Sequence, residues 1–558
     1  MRINIVSPNR NQTGLAQDAD LVQGLFASVL ESNGKFRRVF HNQPECEEAE
    51  VNVFLEVVNP SLMTYAAKNI WIPNPEWTYQ TWKPYVDMFD EIWCKTREAE
   101  RLFSSLATRA RVRYIGWSSI DKGCPDKKNF SKALVLVGKN IYRHPQIVVD
   151  ALTAHADTLP ELHIVYNGDV MKLECDNPKI KTYPTTLKSS EYDALLQECG
   201  IAICVSGAEG FGHAVNEAAS AGCCLVLSDI APFREFGFPA EFIPSKTTVP
   251  HPQCLGVVNT WAEEDIHVAL RTVSELKFKA KRALSEKTAE AYATRHQEWL
   301  AAAQDIIREF TADIPEFKLD MPKEEDLPAV SIITPTRDRL RFMEFARGCI
   351  EGQTYPQSKI EWVVIDDGKV SCKPVLDGMP NVKYICESEG KTIAWKRNRG
   401  IAVSSNPIIL HMDDDDIYPA NSVLYRVAML LLEPKKECAF CTTIPCYDIK
   451  NYISFVNVPP VRLPMSMRVS EATLTHTRAF WEAGKFEDGT HIAEGNSFIR
   501  GREHKCREIS PQEVIVSLVH PRTTSSRKAP AGMEPNGCHY GFSEELFKEL
   551  SELAQSLV

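Results

Sequence analysis

Ile408-Ile409-Leu410-His411-Met412 runs directly into Asp413-Asp414-Asp415-Asp416, and Ile417-Tyr418-Pro419 follows. A short apolar run of this kind reads as a buried strand. Four carboxylates at its end repel one another. In an extended chain alternate side chains share a face, so Asp413 and Asp415 are expected to point together into a cleft and hold a hard cation through oxygen ligands. A Mg2+ or Mn2+ ion there would relieve the repulsion and could bridge a diphosphate. The competing reading is a solvated acidic turn, which accounts for most Asp runs. The neighbouring segments therefore decide between them.

Working outward, Val330-Ser331-Ile332-Ile333-Thr334-Pro335-Thr336-Arg337-Asp338-Arg339 reads as a strand and turn. Glu361-Trp362-Val363-Val364-Ile365-Asp366-Asp367-Gly368 is a second strand ending on an Asp pair. Lys396-Arg397-Asn398-Arg399-Gly400-Ile401 lies one helix ahead of the acidic strand end, where a cation reaches a diphosphate. In this order, over most of residues 328–525, these motifs resemble the GT-A domain of glycosyltransferase family 2. The resemblance implies a nucleotide-sugar donor, with Thr334, Pro335, Thr336 and Asp338 at the nucleotide and Asp366 and Asp367 at the base and ribose. Arg397 would serve the diphosphate. The Asp run would stand as the metal-binding DxD, with Asp413 and Asp415 as ligands of Mn2+ or Mg2+ and Asp414 beside the donor.

The resemblance further implies inversion, with a carboxylate taking the proton of the acceptor hydroxyl. Phe486-Glu487-Asp488-Gly489-Thr490-His491-Ile492-Ala493-Glu494-Gly495-Asn496-Ser497-Phe498 is similar to the acidic segment that opens a helix near the acceptor. Glu494 is the expected base, and Glu487 and Asp488 compete for the role. Helix-start carboxylates also occur merely as N-terminal charge partners. His520, after Val516-Ser517-Leu518-Val519, stands where some relatives supply a further metal ligand.

Residues 1 to about 310 alternate β-rich and helical stretches, the order of parallel sheets covered by helices. Strands are expected at Ile3–Val6, Val51–Val57, Lys68–Ile72, Glu91–Lys95, Val112–Ile115, Ala133–Val137, Leu162–Tyr166, Ile201–Val205 and Cys224–Ser228. Gly116 to Phe130 reads as a hinge between two doubly wound halves. A helical region from Glu263 to Phe310 closes this part, and the Pro-rich, charged FTADIPEFKLDMPKEEDLP reads as a linker.

Within this first part, Ile201-Ala202-Ile203-Cys204-Val205-Ser206 leads into Gly207-Ala208-Glu209-Gly210-Phe211-Gly212-His213 and a helix through Glu217. Strand, Gly-rich turn and helix N-terminus present free N–H groups to an anion. The glycines read G-x-x-G-x-G, which is not the dinucleotide fingerprint. Glu209 to Glu217 resembles the Glu-x7-Glu motif of the GT-B glycosyltransferases of family 4, with Cys224 in place of the usual Pro. Val135-Leu136-Val137-Gly138-Lys139, followed by Arg143, resembles the start of that family's donor half. The likeness implies a metal-independent, retaining site, with Glu209 catalytic and Gly138, Lys139, Arg143, Gly210, Phe211, Gly212 and Glu217 at the donor. Trp71-Ile72-Pro73-Asn74-Pro75-Glu76-Trp77 on the acceptor side is either a packed Trp-rich loop or a sugar-stacking one.

The chain has 558 residues, 63 Lys+Arg against 74 Asp+Glu and a net charge of −11, which argues against a general nucleic-acid backbone binder. The length suits about three compact units. The expected architecture is α/β: GT-B, with two Rossmann-like halves, followed by GT-A, a single nucleotide-binding α/β domain with DxD. Its divisions are 1–125 (acceptor half), 126–310 (donor half), 311–327 (linker) and 328–558. Seventeen Cys, scattered from Cys46 to Cys538 with no signal peptide ahead of them, read as reduced thiols, and Cys438-Ala439-Phe440-Cys441 reads as buried strand. No run approaches the roughly 20 apolar residues of a membrane helix, so a cytoplasmic location with at most peripheral membrane contact is expected. The expected activity is bifunctional sugar transfer from UDP-, GDP- or dTDP-sugars to a glycan or glycoconjugate. In the alternative only the GT-A module is catalytic and the GT-B half presents glycan.

Overall fold

The computed structural model describes every residue except 9–13, 42–45, 139, 154–158, 170–171, 185–186, 320, 522, 524–526, 530, 532–541 and 557–558. The chain forms two compact units that divide between Phe317 and Lys318, and Asn59–Ala66 with the described part of Asn42–Glu48 groups with the second.

The first unit holds two six-stranded sheets. One runs in the order Lys35–Phe40, Arg2–Ser7, Ala49–Leu55, Ala66–Ile72, Glu91–Cys94, Arg111–Tyr114. The other runs Ala240–Ile243, Cys224–Ser228, Cys199–Cys204, Asn129–Gly138, Glu161–Tyr166, Ile180–Tyr183, with every neighbouring pair parallel. Counted along the chain, this second order is 6-5-4-1-2-3, so the strand order reverses between Asn129–Gly138 and Cys199–Cys204. In open parallel sheets that reversal leaves a crevice at the carboxyl ends of the two strands. Strand Cys199–Cys204 is buried along its whole length, as expected where helices cover both faces. The expected helical region is two helices, Glu263–Ser274 and Phe278–Thr311, and Tyr292, Trp299, Ala303 and Ile307 of the second are buried in the core.

In the second unit the main sheet has seven strands, ordered Val382–Cys386, Ile360–Asp366, Val330–Thr336, Ile408–His411, Thr475–Thr477, Cys438–Phe440, Cys506–Glu508. The first four are parallel, so their carboxyl ends share one edge. A four-stranded sheet, Asp416–Ile417, Val516–Val519, Ile444–Asp448 and Ile453–Asn457, begins where the Asp run ends. Helix Ile393–Val403 packs closely on strand Val330–Thr336 through Gly400, where a Cβ would stand 2.5 Å from Ile333 Cγ2. Gly400→Ala is therefore expected to lower the unfolding free energy of this unit by about 1–3 kcal/mol, the overpacking cost exceeding the gain in helix propensity. Denaturant unfolding checks this. Among the described residues no helix is long and apolar enough to cross a membrane.

Candidate active site

Three adjacent parallel strands deliver the expected residues to one edge of the second unit. Val330–Thr336 ends on Thr336 and turns through Asp338, whose φ is +52°, to Arg339. Ile360–Asp366 ends on the Asp366-Asp367 pair, and Ile408–His411 on the Asp run. Trp362 Nε1 donates to Thr334 Oγ1 at 2.9 Å, while Thr336 Oγ1 donates to Asp414 Oδ2 at 2.6 Å. Pro335 lies buried between them.

The expectation that Asp413 and Asp415 share a face assumed an extended chain, but the chain turns at Asp414-Asp415. Asp413 consequently meets Arg397, Nη2 to Oδ1 at 2.9 Å. Asp415 Oδ2 lies 2.7 Å from Arg339 Nη1 and 3.1 Å from His520 Nε2. His520 arrives by strand pairing: Asp416 is the antiparallel partner of Ser517, which carries the end of Val516–Val519 past the turn. Arg339 Nη1 also donates to Asp414 Oδ1 at 2.8 Å. Burial and the Asp415 charge hold Asp416 up at about 8, and burial raises Asp414 to about 6. For Asp415 burial opposes ionisation, yet Arg339 and His520 hold it down to about 2.

Among the described residues no three His, Cys, Asp or Glu side chains are grouped to hold a metal ion. A Mg2+-type ion at a nucleotide site takes one or two protein ligands and fills its shell with phosphate and water. Asp415 with His520 fits that pattern as a two-donor set, and Asp413 stands outside it.

Asp367 Oδ1 pairs with Lys396 Nζ at 2.8 Å, and Asp366 accepts from Gly368 N, Cys372 N and the Tyr384 hydroxyl. Asp338 Oδ1 accepts from Lys369 N and Val370 N, tying the two loops together. The acidic segment divides. Asp488 and Glu487 are exposed, with Asp488 Oδ1 bonded to Asn398 Nδ2 at 2.6 Å. Glu494 is buried, and Arg397 Nε donates to its Oε1 at 2.9 Å. Glu471, which sequence reasoning passed over, lies beside it and accepts from Gly495 N at 3.1 Å. Nothing in the sequence marks this glutamate except its place in an irregular stretch.

The strand-order reversal of the first unit collects the other expected residues. Glu209 Oε1 accepts from Arg143 Nε at 2.7 Å, Asn140 Nδ2 at 3.0 Å and Ser206 Oγ at 2.9 Å. Arg143 Nη1 is turned to the carbonyls of Leu136 and Val137, so Arg143 is engaged by Glu209 and the main chain. Gly138 and Gly212 have positive φ, and Phe211 is buried against Phe236. Glu217 Oε1 accepts from Gln17 Nε2 at 2.7 Å. Lys139 lies outside the described residues.

From the other sheet, Glu76 Oε1 accepts from Gly210 N at 2.6 Å. Trp71 is a core residue stacked on Phe89, whereas Trp77 tilts against Tyr142. Asp18 makes a buried network with Lys95 Nζ at 2.5 Å, Trp117 Nε1 at 2.6 Å and His213 Nε2 at 2.8 Å. Its partners could not be read from spacing.

Residues 331–487 match the family model for glycosyl transferase family 2. Over 94 residues the chain is 31% identical to glycosyltransferase AglE of Haloferax volcanii, an alignment covering 16% of this chain and 31% of that protein. The chain thus spans about a third of the curated relative it matches. Among solved structures, the mannosyltransferase PcManGT of Pyrobaculum calidifontis, in complex with GDP-Man and Mn2+, is 18% identical with a TM-score of 0.30, covering 37% of this chain and 62% of that one. S. aureus TarS 1-349 is 16% identical with a TM-score of 0.27, covering 34% and 60%. The second unit contains a family 2 glycosyltransferase domain.

Proposed function

We propose that the second unit transfers a sugar from a nucleotide-sugar donor, a UDP-, GDP- or dTDP-sugar, to a hydroxyl of a glycan or glycoconjugate, with inversion. The observation that carries this reading is the convergence of Thr336, Arg339, Asp414, Asp415 and His520 at the carboxyl edge of adjacent parallel strands. Donor phosphates need cations. Arg339 is one, and Asp415 with His520 would hold a Mn2+ or Mg2+ ion that supplies Lewis-acid charge to the leaving diphosphate. The Asp366 and Asp367 loop, rigidified by Lys396 and by Asp338, would receive the base and ribose.

Asp415→Asn keeps the shape of this turn but removes charge from the two-donor set. It is expected to weaken Mn2+-dependent binding of a nucleoside diphosphate about tenfold or more, while binding without metal changes little. Calorimetric titration of UDP, GDP and dTDP with and without Mn2+ checks this. Equal affinity of variant and wild type in Mn2+ for every nucleotide would sink the reading.

For the first unit we propose a GT-B module with its own donor crevice at the strand-order reversal. The chain would then add successive sugars to one glycan, and tethering would raise the local concentration of the first product. A second reading is favoured by Arg143, which Glu209 and main-chain carbonyls already occupy. In that reading the first unit presents glycan and does not transfer sugar. Glu217→Gln separates them: two active modules lose one linkage from the product, and a presenting module loses none.

A further inference from the structure

Two carboxylates stand side by side where the acidic segment opens its helix, and they have different partners. Glu494 is 3% exposed and bound by Arg397, whose guanidinium also holds Asp413. Glu494 is thus one half of a buried ion pair, and its carboxylate is occupied in holding the arginine. Glu471 makes no salt bridge among the described residues and is partly exposed. Its Oε1 accepts from Gly495 N and lies 2.9 Å from the point where a Cβ on residue 495 would stand. Glycine at 495 is what lets the Glu471 carboxyl occupy this place. The charged groups acting on it are Glu494 and Arg397. Burial and the Glu494 charge raise its carboxyl to about 7, where a base is both available and able to take a proton.

We propose that Glu471 is the carboxylate that takes the acceptor's proton in the second unit, with Arg397 and Glu494 as positioning residues. In the step it serves, an acceptor oxygen lone pair forms the bond to the anomeric carbon. The bond from that carbon to the diphosphate oxygen breaks, its electron pair stays on the diphosphate, and the hydroxyl proton passes to Glu471. The assignment rests on the transferase reading above.

The test uses the full chain, with release of nucleoside diphosphate from UDP-, GDP- and dTDP-sugars in Mn2+ and water as the acceptor. Glu471→Gln keeps the size of the side chain and its acceptor for Gly495 N. It is expected to bind nucleoside diphosphate within twofold of wild type, to turn over roughly a hundredfold more slowly, and to lose the limb of the pH profile that rises near 7. Glu471→Asp, which keeps the acid, is expected to recover part of the rate and all of that limb. Glu494→Gln is expected to lower binding and turnover together and, by removing the charge that raises the Glu471 carboxyl, to move the limb to lower pH without abolishing it. Turnover by Glu471→Gln at the wild-type rate with an unchanged pH profile overturns the assignment alone. Absence of donor binding and turnover in the wild type overturns the transferase reading, and the assignment with it.

Discussion

Arg397→Ala is expected to destabilise the second unit by about 3–5 kcal/mol, the cost of leaving a buried charge without its partner. The guanidinium is fully buried and reaches three ways: Nε to Glu494, Nη2 to Asp413 and Nη1 to His411 Nδ1 at 3.3 Å. The two carboxylates do not suffer equally. Asp413 retains 23% side-chain exposure and can be rehydrated, whereas Glu494 retains 4% and would be left as a buried charge without the arginine. Most of the loss therefore belongs to Glu494. Combining Arg397→Ala with Glu494→Gln should then cost much less than the sum of the two single changes. Arg397→Lys should recover little, because a point charge cannot serve two carboxylates on different elements as a fork does. Unfolding midpoints across this cycle decide it. A single-variant loss under about 1 kcal/mol would mean that the buried pairs contribute no net stability.

What could be read from the sequence depends on where a residue lies in a sheet. Central parallel strands are covered on both faces and appear as unbroken apolar runs. Ile201–Val205 and Cys224–Ser228 were expected and are strands to within two residues. Five strands of the first unit escaped notice, Lys35–Phe40, Ile180–Tyr183, Ala240–Ile243 and the two-stranded pair Thr247–Pro250 and Val257–Thr260, and all five are sheet edges. KFRRVF carries Lys and Arg through its length, as an edge that must stay soluble does. Past Thr443 the sequence loses periodicity because its strands are three to five residues long, as at Thr475–Thr477 and Ile444–Asp448.

The same distinction divides the site. Thr336 and Asp366 close their strands and the Asp run follows one, so sheet order brings them to one edge, and their place at strand ends was legible. The direction of each carboxylate was not. Whether Asp413 faces Asp415 or Arg397 is decided by a two-residue turn. Glu471 approaches Gly495 from 24 residues away in sequence, and Glu76 approaches Gly210 from 134. Neither separation leaves a local pattern. In both cases a glycine permits the approach, since a Cβ at 210 or at 495 would fall within 3 Å of a carboxylate oxygen.

Glu76→Gln is expected to stabilise the first unit, and increasingly so as pH rises. Glu76 Oε1 is satisfied by Gly210 N, but its buried Oε2 and the Asn74 Oδ1 have no donor among the described residues, and each lies 2.7 Å from the point a Cβ on Gly210 would take. Burial, with the charges of Glu209 and Glu56, raises the Glu76 carboxyl to about 8 from an ordinary 4.5. A proton on Oε2 supplies the missing donor. Between pH 4.5 and 8 the unfolded chain releases that proton and the folded chain keeps it, so the folded state binds more protons. Stability from this group therefore falls as pH rises through that window and levels off above 8. The difference between its ends is roughly 3–5 kcal/mol. The Gln amide offers an oxygen to Gly210 N and an N–H to the unpartnered oxygen at every pH. Wild type and variant should have similar unfolding free energies near pH 4.5, with a gap opening in favour of the variant towards pH 8. A gap that stays constant across that range would mean that Glu76 is ionised in the folded protein.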